Sequence, residues 1–346
     1  MVFSWICGDV WMDILPSFDH AQLGHKMALL SYRFDVLVDT HFEGKSELAI
    51  SRWIKITNND SGGPKPELSV RIDGKFLGFP LPNHPLSNKI RFQHLHIEYI
   101  DHSVIEFLHA NKHIWDSKGT KLEFIDTDDG LPIWDVLAHE IWPIFAPSIR
   151  CLNFADDCQF DQLCCRISST ILTDLDQLDS INFDLLLLDE IADDGLNGTS
   201  VEQVLSEWLH TPPKNGKSKR LFCADFDDEK NVDWLFSFKE TFIHATTSAS
   251  YKICFGLLPK IPIEPFELVN EWTNEKLALS KEENDTFWLL KRCPIVGETA
   301  TVKSENENWD DKLNNVHFAL WADCNCIGPL LPPAEENEEA GKSNGN

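Results

Sequence analysis

Leu95-His96-Ile97-Glu98-Tyr99, Leu122-Glu123-Phe124, Leu152-Asn153-Phe154, Ile181-Asn182-Phe183, Leu221-Phe222-Cys223 and Ile253-Cys254-Phe255 share one pattern, apolar residues alternating with a variable one. Alternation marks a strand buried on one side, because successive side chains point to opposite faces. Counted from their first residues, these stretches are separated by steps of 27, 30, 29, 40 and 32. Three carry a further apolar residue three positions earlier: Phe92, Ile149 and Leu178. Amphipathic helix patterns fill most of the gaps: Val104, Phe107 and Leu108; Ile133, Trp134, Leu137, Ile141 and Phe145; Val201, Val204, Leu205 and Trp208; Trp234, Leu235, Phe238 and Phe242. One strand and one helix per step is near the leucine-rich-repeat period, and neither element can bury its apolar face alone, so neighbours must stack. An irregular leucine-rich-repeat-like strand/helix array is therefore expected over 89–260, with an ordinary α/β layer domain as the rival reading.

Outward from this array the patterns change. Before it, Leu48, Ile50, Ile54 and Ile56, then Leu68, Val70 and Ile72 running into Asp73-Gly74, predict a β-hairpin unit and connector over 45–88. After Pro265, Phe266-Glu267-Leu268-Val269, Lys276-Leu277-Ala278-Leu279, Phe287-Trp288-Leu289-Leu290 and Val316-His317-Phe318-Ala319-Leu320 predict an antiparallel β cap over 261–327. Residues 328–346, with three prolines and Glu335-Glu336-Asn337-Glu338-Glu339, predict a disordered acidic tail. At the other end, residues 1–44 predict three short helices, with apolar stripes Val10, Trp11, Ile14, Leu15 and Phe18, then Leu23, Met27, Leu30 and Phe34, then Phe34, Leu37, Val38 and His41. Pro16 should shorten or kink the first. The expected fold class is thus α+β, a helical N-terminal motif followed by the repeat-like array, with antiparallel β elements at both ends.

The chain of 346 residues has 30 basic and 56 acidic side chains, a formal net charge of −26. That field repels polyanions, so neither nucleic acid nor an anionic membrane surface is expected as a partner. Hydrophobic residues make up 42%, with 12 Trp and 22 Phe, enough apolar surface to exclude a wholly disordered chain. The opening Met1 to Asp9 has no basic start and no unbroken apolar core, so no signal peptide is expected. The longest apolar stretch, 131–149, is broken by Asp135, His139, Glu140 and two prolines and reads as a core helix. Ten cysteines without framework spacing read as reduced thiols, implying a cytoplasmic or nuclear protein.

The N-terminal segment resembles the F-box, a three-helix adaptor-binding motif. Its opening corresponds to Ile6-Cys7-Gly8-Asp9-Val10-Trp11-Met12-Asp13-Ile14-Leu15 through Phe18, and its second half to Leu29-Leu30-Ser31-Tyr32-Arg33-Phe34-Asp35-Val36-Leu37. Across roughly residues 6–320 the chain is similar to F-box-like proteins of expanded nematode families, through Ile90-Arg91-Phe92, Tyr99-Ile100-Asp101-His102-Ser103-Val104-Ile105, Trp134-Asp135-Val136-Leu137-Ala138 and Pro265-Phe266-Glu267-Leu268-Val269-Asn270. The resemblance implies a substrate-recognition adaptor of a cullin–RING ubiquitin ligase, binding a Skp-type adaptor through its helices and an unidentified protein target through its repeats. An F-box is too small to bury all its apolar surface, so a stripe must meet a partner or be covered. Val10, Ile14, Leu15, Leu30 and Phe34 are the candidates for that adaptor-binding face; core packing within the helices is the competing reading for each. In a repeat array the variable strand positions reach the open face, which makes His96, Glu98, Glu123, Asn153, Asn182 and Phe222, with Cys254, candidates for target binding.

Enzymatic chemistry is not expected, and neither cofactor nor metal. Asp126-Thr127-Asp128-Asp129-Gly130 has its glycine one residue early for a calcium loop, and Leu137 stands at the twelfth position. Cys324-Asn325-Cys326 and Cys164-Cys165 have no partner pair at zinc-site spacing, and no phosphate-binding, dinucleotide or nucleophile-elbow motif occurs. Cys7 at the family's proline position and Pro16 within its helix leave open an alternative, a repeat-type interaction scaffold with a degenerate F-box uncoupled from ubiquitination. An unrecognised metal-dependent hydrolase is the second rival.

Overall fold

The computed structural model describes residues 8–17, 27, 30–42, 49–58, 65–72, 75–86, 90–115, 119–125, 132–186, 200–212, 214, 216–226, 229–256, 263–282, 287–295, 314–320 and 327–330. The chain is a mixed α/β protein. Its strands β1 (Ala49–Asn58), β2 (Pro66–Ile72), β3 (Lys75–Pro80), β4 (Ile90–Ile97), β5 (Thr120–Ile125), β6 (Ile149–Phe154), β7 (Ser180–Leu185), β8 (Lys219–Asp225), β9 (Tyr251–Gly256), β10 (Phe266–Asn270), β11 (Glu275–Lys281), β12 (Phe287–Pro294) and β13 (Asn314–Ala319) form one sheet. Its order is β10-β11-β12-β9-β8-β7-β6-β5-β13-β4-β1-β2-β3.

The predicted strand–helix succession occupies the middle of this sheet. Strands β5, β6, β7, β8 and β9 lie side by side in chain order and all parallel. Their registers align the apolar positions into two continuous rows. Leu95, Val316, Leu122, Leu152, Ile181, Leu221 and Ile253 pair across the sheet, and two residues on Ile97, Phe318, Phe124, Phe154, Phe183, Cys223 and Phe255 do the same. Four of the latter form a stack of phenyl rings, Phe318–Phe124–Phe154–Phe183, with centroids 5.7, 5.3 and 5.5 Å apart and rings within 23° of parallel.

Helices α3 (His102–Ala110), α4 (Lys112–Trp115), α5 (Pro132–Val136), α6 (Trp142–Phe145), α7 (Asp157–Arg166), α8 (Ile171–Asp174), α9 (Val201–His210) and α10 (Glu229–Ile243) connect these strands. They supply the other half of the core. Trp134 packs on Phe124, Phe160 meets Phe154 and Phe183 edge-on, and Phe238 meets Tyr251 edge-on. Local capping sets where helices begin: the Asp101 and Asp156 carboxylates accept from Val104 and Gln159 N–H, and Ser200 with Gln203 forms a capping box. The helix predicted through Phe145 carries a π-helical turn at Leu137–Ile141, immediately before Pro143. Proline cannot donate to the preceding turn, and the widened turn absorbs that loss.

Three expectations change. Val316-His317-Phe318 is not part of an antiparallel cap: β13 inserts parallel between β4 and β5. Its Val316 and Phe318 fill places in the two apolar rows, so it is buried where the cap would have left it at an edge. Nor is 45–88 a separate antiparallel unit, since β1 pairs antiparallel with β2 but parallel with β4. The β2–β3 hairpin is present, Ile72 opposite Lys75, with Asp73 and Gly74 themselves outside the described residues. Finally, the fold extends past residue 327. Gly328 N–H donates to the Ile100 carbonyl and His102 N–H to that of Pro329; residues 331–346 lie outside the described residues. The antiparallel pairs β10–β11, β11–β12 and β12–β9 close the far edge as the alternating patterns after Pro265 predicted.

At the N-terminus α1 (Gly8–Ile14) passes into a 3-10 turn at Leu15–Ser17, the shortening expected from Pro16, and α2 spans Tyr32–Phe42. Of the helix expected between them, only Met27 and Leu30 lie among the described residues. No described helix is long and apolar enough to cross a membrane.

Candidate functional site: the half-exposed sheet face

With the Leu and Phe rows turned to the helices, the alternate residues of the central strands share the opposite face. The registers bring the predicted target-binding residues into one line: His96 pairs with His317, His317 with Glu123, Glu123 with Asn153, Asn153 with Asn182, and Asn182 with Phe222. Lys55 precedes His96 in this line, and Cys254 and Leu289 follow Phe222. Glu98 lies two residues beyond His96 and completes a pair with Lys55 at 2.6 Å. All six predicted residues are thus assembled on one half-exposed surface.

His317, which the sequence reading left out because β13 was assigned to the cap, is the hub at one end. Its Nδ1 lies 2.8 Å from Glu123 Oε2 and its Nε2 lies 3.4 Å from His94 Nδ1. His94 in turn stacks on Trp53, centroids 4.0 Å apart and rings 7° from parallel. Burial holds the His94 imidazole below its ordinary pKa, reinforced by His317 and opposed by Glu123. Burial does the same to His96, against the attraction of Glu98. Glu123 is held below the usual carboxylate range, chiefly by its hydrogen bond with His317. In the middle, the Asn153 and Asn182 amides meet at 2.7 Å, and Asn182 Nδ2 lies 3.4 Å from Cys151 Sγ. At the far end Phe222 packs against Phe287, centroids 5.5 Å apart.

Two residues from this line, toward the N-termini of the parallel strands, the character changes. Arg220 is directly opposite Lys252, and Lys252 directly opposite Lys291, on three adjacent strands. Like charges placed opposite one another across a sheet are destabilising. Beside them the Asp179 carboxylate receives Arg150 at 2.6 Å, with Arg220 and Lys217 at 3.8 and 3.9 Å. Burial and the neighbouring Arg150 push Lys217 below its ordinary value, while Asp179 opposes them. For Arg220 and Lys252 the signal was present in the sequence: they stand two places before the variable positions Phe222 and Cys254 and so share their face.

The N-terminal candidates divide. Val10 and Leu30 are exposed, at 48% and 56%, and Ile14 is half-buried. Leu15 and Phe34 instead point inward: Leu15 is fully buried, and Phe34 meets buried Trp11 edge-on at 4.9 Å. Tyr32 and Val36, which the sequence reading did not single out, join Val10 and Leu30 as exposed apolar residues. The reason is helical phase, since Phe34 and Val38 occupy the inner face of α2 and Tyr32 and Val36 lie two residues off it.

Among the described residues no group of three or more His, Cys, Asp or Glu is arranged to hold a metal ion. The calcium-like stretch 126–130 and Cys324 and Cys326 lie outside the described residues. Burial raises the Cys164 and Cys165 thiols, the latter to about 11, which disfavours the thiolate a metal would need. No protein-family model matches this sequence, and neither a curated protein nor a solved structure is found to match it.

Proposed function

We propose that this protein is a non-enzymatic recognition adaptor: its N-terminal helices dock a Skp-type adaptor of a cullin–RING ubiquitin ligase, and its half-exposed sheet face holds a protein target. The observation that carries this reading is the division of the N-terminal helices. Trp11, Leu15, Phe34 and Val38 are buried, whereas Val10, Leu30, Tyr32 and Val36 remain exposed. Isolated exposed apolar residues are ordinary, but three on two short neighbouring helices, with Leu30 just ahead of the second, suit a partner surface. In such an assembly the protein supplies proximity, raising the effective concentration of a target lysine near a loaded conjugating enzyme. The side-by-side parallel strands, with β5 to β8 each followed by a helical connection, suit a leucine-rich-repeat-like array whose free face serves recognition.

The test is capture of a purified Skp-type adaptor by the full chain. Binding is expected, and Val10→Asp with Val36→Asp should reduce it at least tenfold with an unchanged circular dichroism spectrum. Failure of the unmodified chain to bind would sink the ligase reading; binding indifferent to both substitutions would refute the assigned face. A second reading, a scaffold with a degenerate F-box, is favoured by the early end of α1 at Ile14 and the 3-10 turn that follows.

A further inference from the structure

We infer that the corner of the sheet around Trp272 is an interaction surface for a partner protein whose apolar pocket is rimmed by lysine or arginine. This surface is separate from those of the adaptor reading: it lies at the β10 edge and uses neither the N-terminal helices nor the line from His96 to Phe222.

Trp272 stands in the turn that joins β10 to β11 and is 90% exposed, more than any other large apolar residue among those described. The fold does not call for an indole there. The turn is held by buried Asn270, whose Oδ1 accepts from the Trp272 and Thr273 N–H groups at 2.9 and 3.2 Å. Those are main-chain donors, which any residue but proline would offer. Asn270 Nδ2 donates to the Phe242 and Ala245 carbonyls at 2.7 and 2.9 Å and so ties the turn to the end of α10. The Ile295 N–H, just past β12, donates to the Asn274 carbonyl at 3.1 Å. The indole is thus presented on a fixed backbone, and little main-chain freedom is left to lose when a partner closes on it.

The same hydrogen bonds gather other exposed apolar residues at this corner. Val269 precedes Asn270, Ile243 follows Phe242, and Ile295 is bonded to the turn itself; all three are exposed. Single exposed apolar residues are ordinary, but four linked through one turn form a patch of the kind that marks a protein interface. Tryptophan is among the residues that most often carry the binding energy of such surfaces.

Charge selects the occupant. Exposed Glu271 adjoins the indole, and Glu240 lies three residues before Ile243 on α10. Among the described residues Glu240 is paired only with His244, at 3.8 Å, and Glu271 forms no ion pair. Lys276 is engaged with Glu267 at 3.9 Å, and Lys239 lies over the Phe266 ring at 3.9 Å. A second copy of this chain would bring the same two glutamates and a further net charge of −26 to the contact. Anionic lipid is repelled by the same field. A pocket that takes the indole, with cations facing Glu271 and Glu240, is complementary in both shape and charge.

The experiment uses the full chain as bait for a phage-displayed library of random twelve-residue peptides closed by a disulfide. Enriched peptides are synthesised with a fluorescein label and their binding is read by fluorescence anisotropy. Enrichment of peptides that combine apolar residues with lysine or arginine is expected. Their binding should weaken at least about thirtyfold on Trp272→Ser, the loss of a central tryptophan anchor. Glu271→Lys should weaken it severalfold. Phe76→Ser, at an exposed apolar residue on the opposite edge strand β3, should leave it unaltered. Trp272→Ser should also keep the urea midpoint of the parent, because the turn's main-chain bonds survive; a lowered midpoint would show the indole to be structural and overturn the inference. So would the absence of an enriched peptide family, or binding indifferent to Trp272→Ser. Dimerisation in sedimentation velocity, or cosedimentation with phosphatidylcholine vesicles, either one abolished by Trp272→Ser, would overturn it in favour of a second copy or a lipid surface.

Discussion

Phe124 and Phe318 are separated by nearly the whole repeat region in the chain, yet their rings lie 5.7 Å apart and 18° from parallel. Phe124 also stacks on Phe154 at 5.3 Å and packs on Trp134 at 5.4 Å. Truncating such a buried phenylalanine to alanine costs about 3–5 kcal/mol, a large share of the 5–15 kcal/mol that stabilises a typical protein. Leucine is the better probe, since it keeps most of the apolar volume; each of Phe124→Leu and Phe318→Leu should cost about 1–2 kcal/mol. Ring–ring contact is worth about 0.5–1.5 kcal/mol beyond buried area, so the double variant should be less destabilised than the sum by about that amount. Phe255, on β9, is five strands from β13 in the sheet order. Phe255→Leu with Phe318→Leu should therefore be additive within about 0.5 kcal/mol. Urea unfolding followed by tryptophan fluorescence measures all of these through the shift in midpoint at constant slope. Additivity of the Phe124/Phe318 pair would refute the placement of β13 beside β5, and with it the position of His317 on the half-exposed sheet face.

Two further outcomes are expected. Arg292 and Glu275 form an ion pair exposed by only 1% and 2%, Arg292 also donating to the Thr247 carbonyl and Glu275 accepting from Ala249 N–H; Arg292→Leu should cost about 3–5 kcal/mol by stranding a buried carboxylate, and Glu275→Leu added to it should recover part of that loss in the same urea assay, whereas a double variant as unstable as the summed singles would disprove the pairing. Burial holds His94 and His96 below the ordinary imidazole value, so below pH about 6.5 the unfolded chain takes up more protons than the folded one and stability falls as pH is lowered from there. Glu123, held low by His317, contributes in the same direction at more acid pH, its stabilisation present above the ordinary carboxylate value and lost as pH falls through its own. His94→Gln with His96→Gln should flatten the difference in urea midpoint between pH 7.5 and 5.5, and an unchanged difference would refute the assignment.

The half-exposed sheet face was largely readable in the sequence, because alternation in a strand is a local rule. Once Leu122 and Phe124 are assigned inward, Glu123 must face outward, and the same holds for Asn153 and Asn182. The residues missed on that face, Lys121, Arg220 and Lys252, obeyed the same rule two positions earlier. At the N-terminus the periodic stripe located the helices but not which residues on them would be free. Leu15 and Phe34 fit the partner-facing pattern as well as Val10 and Leu30 do, and only the packing of Trp11 against Phe34 separates them.

By itself the sequence determined the local matters: short one-sided strands, amphipathic connections, the hairpin at Asp73-Gly74, the early stop of α1 at Pro16. These follow from backbone geometry and side-chain periodicity within a few residues, so no distant contact is needed to fix them. Only the tertiary structure decided that Val316-His317-Phe318 enters the centre of the sheet instead of closing its edge, and that β1 joins β4 in parallel. Strand order depends on which apolar rows match across long stretches of chain. That is a choice among nonlocal pairings of similar local pattern, and it is made by the packing of the whole core.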